Sequence, residues 1–132
     1  MVVNEQRQYE ASSEYMKDVA ECLEDANIDP TRLEKIITHI QTQITIGHIH
    51  VSGALPQLEK IAAHKNISPE VLKSLLYIIN LSGDSNTESL LKVIKNNERA
   101  MSFMHVLSVY GTDGYDRRAY GINYVALKIL RK

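Results

Sequence analysis

Between Gly47 and Gly53 the chain reads GHIHVSG, with His48 and His50 one residue apart and with His39 and His64 to either side. Imidazoles gathered in this way are the raw material of a zinc site. A structural zinc wants four ligands and commonly draws on cysteine, and a catalytic zinc often takes three ligands and an open position. The only cysteine, Cys22, is remote in sequence, and His48 and His50 lack the four-residue spacing that sets two ligands on one helix face. A metal would require His39, His64 or a carboxylate to fold inward. The plainer reading is a seam between two helices, so no metal ligand and no cofactor is expected.

Nucleophilic and acid–base chemistry find no better anchor. Cys22 lies beside Glu21 and Glu24, whose charges would oppose a thiolate. The chain has no G-x-S-x-G elbow, no phosphate-cradling glycine loop followed by Lys-Ser or Lys-Thr, and no H-E-x-x-H pair. Carboxylates are plentiful but fall on what reads as a solvated helix. A non-catalytic protein is expected.

Charge layout is more informative. Residues 1–30 hold eight acids against Arg7 and Lys17, a net charge of −6, whereas the remainder carries +5. Glu10, Glu14, Asp18, Glu21 and Asp25 follow one another at steps of three and four, which in a continuous helix forms one column opposite Met16, Val19 and Leu23. Like charges so spaced repel by a few tenths of a kcal/mol per pair. The column is either a solvated face or a docking strip for a basic partner, where complementary charge speeds association. Near the other end, YGTDGYDRRAYGINY sets Tyr115 and Tyr120 around Arg117 and Arg118, residue types that concentrate in protein interfaces and also suit RNA. Asp113 and Asp116 dilute the positive field there, which favours protein over nucleic acid.

The elements that must position these residues are helices. Apolar residues recur at helical spacing and no stretch sustains period-two alternation. Met16, Val19, Ala20, Leu23 and Ala26 share one face of a first helix, with Ser12 or Ser13 as its cap and Asn27 as its stop. DPTRLEKIITHI predicts a second, with Asp29 as cap, Pro30 at the first position, an inward stripe of Leu33, Ile36, Ile37, Ile40 and Ile44, and Gly47 as stop. Ser52 is the expected cap of a third, placing Pro56 near its first turn. Ser68-Pro69 opens a fourth, which Gly83 closes. Ser85-Asn86-Thr87-Glu88 reads as a capping box for a fifth. Asn96 and Asn97 break it, a sixth runs to Gly111, and a last helix spans Asp116 to about Leu130. These seven or so helices with short connections predict one all-α domain over residues 1–132.

Within ALPQLEKIAAHKNISPEVLKSLLYIINLSGDSNTESLLKVIK, Leu58 stands opposite Leu90 and Ile61 opposite Val93, a period of roughly 30 residues. With its ALPxL helix entry, its SPEVL second entry and its glycine–aspartate turn, the middle half of the chain resembles a HEAT-type helical repeat. That resemblance implies stacked helical hairpins, or their closure into a compact bundle, and an extended surface that holds a partner.

With 44% hydrophobic and 23% charged residues, the composition is that of a chain that folds unaided. One cysteine excludes an internal disulfide and fits a reducing compartment. MVVNEQRQYE lacks the apolar run of a signal peptide and no stretch suits a membrane span, so a cytoplasmic protein without a membrane partner is expected. Together these features suit a protein-binding module, such as an inhibitor or immunity protein that neutralises a basic toxin, for example a nuclease. Glu10, Glu14, Asp18, Glu21 and Asp25 would meet the partner's cations, and Tyr115, Arg117, Arg118 and Tyr120 would form a second contact. The alternative is a nucleic-acid-binding regulator that uses the basic, Tyr/Arg-rich C-terminal half.

Overall fold

The computed structural model describes residues 16–109 and 117–131, and of residues 84 and 117–120 the backbone alone. All secondary structure among them is helical. In chain order the helices are α1 (16–23), α2 (Pro30–Thr45), α3 (Val51–Ala62), α4 (Pro69–Ser82), α5 (Asp84–Lys95), α6 (Glu98–Ser102), α7 (Met104–Ser108) and α8 (Arg117–Arg131).

The apolar stripes fold inward. Leu33, Ile36, Ile37 and Ile40 of α2 are buried, as are Leu58, Ile61 and Ala62 of α3. The most enclosed helix is α4, whose Val71, Leu72, Leu75, Leu76 and Ile78 are fully buried. Its sequence is apolar around much of its circumference because neighbours cover it on several sides: α2, α3, α5 and α8 all pack against it. Besides meeting its neighbours in sequence, α2 packs on α4 and α3 on α5, each two places along.

Helix ends leave backbone groups without intrahelical partners, and each must find one elsewhere. The α2 terminus does so with a Schellman turn: the His48 N–H donates to the Gln43 carbonyl at 2.9 Å and the Gly47 N–H to the Ile44 carbonyl at 3.1 Å. Gly47 sits at φ 82°, a conformation that costs glycine little. The helix starts are held by Asp29, whose carboxylate accepts from the Thr31 N–H, by Ser68, which accepts from Val71, and by Asn97, which accepts from Ala100.

The remaining carbonyls along one edge are satisfied by the next hairpin. The loop 24–29 receives the Asn66 side chain on the Ile28 carbonyl (3.2 Å) and the His64 ring on the Asp25 carbonyl (3.2 Å). The loop 63–68 is served in turn by α6: Asn97 donates to the carbonyls of Ala62 (2.7 Å) and His64 (3.2 Å), and Arg99 donates from Nε to that of Ile67 (2.6 Å). Asn27-Ile28-Asp29-Pro30 with Leu33 and Asn66-Ile67-Ser68-Pro69 with Leu72 are the same pattern 39 residues apart, and both isoleucines and both leucines are buried. The two loops are equivalent in sequence and in place.

Several expected boundaries move. Helix α1 ends at Leu23 rather than near Ala26, which is exposed. Helix α3 begins at Val51, capped by the His50 ring and not by Ser52, so Pro56 lies inside it and the Ser52 carbonyl loses its usual donor. The Ser85–Glu88 capping box does not form. Gly83, at φ 80°, lets α5 start one residue after α4 ends, so Ser85 already lies within the helix. The expected sixth helix divides at Phe103 into α6 and α7.

Because Asn97 both caps α6 and closes two carbonyls of the preceding unit, Asn97→Ala should cost about 1–3 kcal/mol. Urea unfolding would measure this, and a loss below about 0.5 kcal/mol, the level of an ordinary surface change, would contradict the role assigned to it.

Candidate functional site: the acidic end and the histidine seam

The histidines are placed by the connections they stabilise. His50 accepts from the Ser52 N–H through Nδ1 (3.2 Å) and lies 2.8 Å from its hydroxyl, and His48 pairs through Nδ1 with the Gln43 amide (3.2 Å). His64, 7% exposed, accepts from the Asn66 N–H through Nδ1 (3.1 Å), which leaves Nε2 to donate to Asp25 and assigns the neutral Nε2–H tautomer. His39 is exposed on α2. Among the described residues no three His, Cys, Asp or Glu side chains gather closely enough to hold a metal ion. The seam forms one wall of a groove of about 440 Å³, lined by Ile44, Ile49, His50 and Val51 and, across from them, Leu81 and Asn86.

Cys22 is half-buried and accepts from the Arg32 guanidinium at 3.3 Å. That contact ties α1 to α2 and gives Cys22 a structural partner that spacing alone did not reveal.

The acidic column is only partly continuous. Glu10 and Glu14 lie outside the described residues. Asp18 and Glu21 stand one turn apart on the exposed side of α1, opposite buried Met16, Val19 and Leu23, and neither pairs with a cation among the described residues. Asp25 leaves the column: the helix has ended, and its carboxylate accepts from the Asn27 N–H at 2.9 Å. It is exposed, but its first duty is to shape the loop that His64 anchors. Glu24, outside the column, is the acid that finds a partner, Lys60 of α3. The hydrogen bond from Lys60, then its charge, holds the Glu24 carboxyl below its ordinary range.

At the other end, Tyr115 lies outside the described residues, and Arg117, Arg118 and Tyr120 are described only as backbone in the first turn of α8. Further along that helix Ile122, Val125, Ala126 and Ile129 face inward, while Tyr124 is 62% exposed and Leu127 39%. Gly121 faces the Asn80 side chain of α4, whose amide would have to shift to admit a Cβ there. Among the described residues no helix is long and apolar enough to cross a membrane.

Comparison with family models, with curated proteins and with solved structures finds no match for the chain.

The pairing of Glu24 with Lys60 has a definite sign. A carboxyl whose folded pKa is depressed stabilises the fold above the unfolded pKa, and that contribution fades as pH falls through the folded pKa. Lys60→Ala should raise the Glu24 midpoint toward the ordinary carboxylate range in an NMR titration. An unmoved midpoint would show that Lys60 is not its cause.

Proposed function

We propose that the chain is a non-catalytic protein-binding module, a stack of helical hairpins of HEAT-like architecture, that holds a basic protein against the acidic face of α1. The observation that carries this reading is the pair Asp18 and Glu21: exposed, adjacent on one helix face, and without a cationic partner among the described residues, while neighbouring Glu24 and Asp25 are engaged within the fold. Two unneutralised carboxylates on an otherwise well-paired end cost the free protein a little and gain most when a cation covers them.

The concrete form of the proposal is a cytoplasmic inhibitor or immunity protein that occludes the surface of a basic toxin domain such as a nuclease. Glu10 and Glu14 would extend the strip, Asp25 would border it, and Tyr115, Arg117, Arg118 and Tyr120 would offer a second contact. A second reading, a nucleic-acid-binding regulator, is favoured by exposed Tyr124 on the helix that ends in Lys128 and Arg131, since bases stack on such rings while cations meet phosphate.

The double variant Asp18→Lys, Glu21→Lys tests the first reading. At low salt its association with a basic partner should slow by about tenfold or more, with the difference shrinking as salt screens it. An unchanged association rate, with the fold intact by circular dichroism, would remove the acidic face from the account.

A further inference from the structure

No further inference is drawn: the strongest candidate, the groove of about 440 Å³ between the α2–α3 connection and the end of α4, is walled largely by the apolar side chains of Ile44, Ile49, Val51 and Leu81, and nothing in the structure shows what covers it.

Discussion

A helix that stops inside a protein leaves carbonyls pointing at whatever comes next, and burying one without a donor costs on the order of 1–3 kcal/mol. In this chain the problem recurs along one edge, where α1 gives way to α2, α3 to α4, and α5 to α6. The answer recurs too. Asn66 and His64 serve the loop before theirs, and Asn97 and Arg99 serve the loop containing His64 and Asn66. Each unit is finished only when its successor is in place, so the polar edge sets the register in which the apolar faces meet. Arg99 adds a contact over the Phe103 ring at 5.5 Å, which fixes the side chain that makes the last of these bonds. Helix α4, clad by α2, α3, α5 and α8, is the apolar counterpart of that register.

The same economy of partners separates structural polar groups from those available for binding. His48, His50 and His64 each hold a connection together, and Asp25 shapes the turn that His64 grips. Three of the imidazoles that first suggest a metal thus serve helix ends and loops as hydrogen-bond partners. What is left over among the described residues includes the carboxylates of Asp18 and Glu21 on the outer side of α1.

Much of this architecture was legible in the residues. Asp29-Pro30 and Ser68-Pro69 announce two helix starts, Gly47 one stop, and Asn96-Asn97 the break before α6, because each device acts through backbone atoms a few positions away. The Asn-Ile-Asp-Pro and Asn-Ile-Ser-Pro pattern was equally visible. What local pattern did not carry was set by competition or by distance. Ser85, the first residue of a plausible capping box, lost to a glycine that could start α5 sooner. His50 displaced Ser52 as a cap because a ring nitrogen can accept a backbone N–H as a hydroxyl does. Asp25 shared its spacing with Asp18 and Glu21, but Leu23 was the last helical residue, and the loop that follows is held in part by His64 and Asn66, 39 and 38 residues beyond the carbonyls they meet.

The reading of this protein as a holder of a basic partner stands most directly on what it carries in its native cells. Affinity capture of the tagged chain, with bound proteins identified by mass and nucleic acid assayed in the same eluate, puts that to the test. The account predicts a basic protein in stoichiometric amount, released by raising salt, in an eluate free of nucleic acid. Nucleic acid recovered without a protein partner would contradict it.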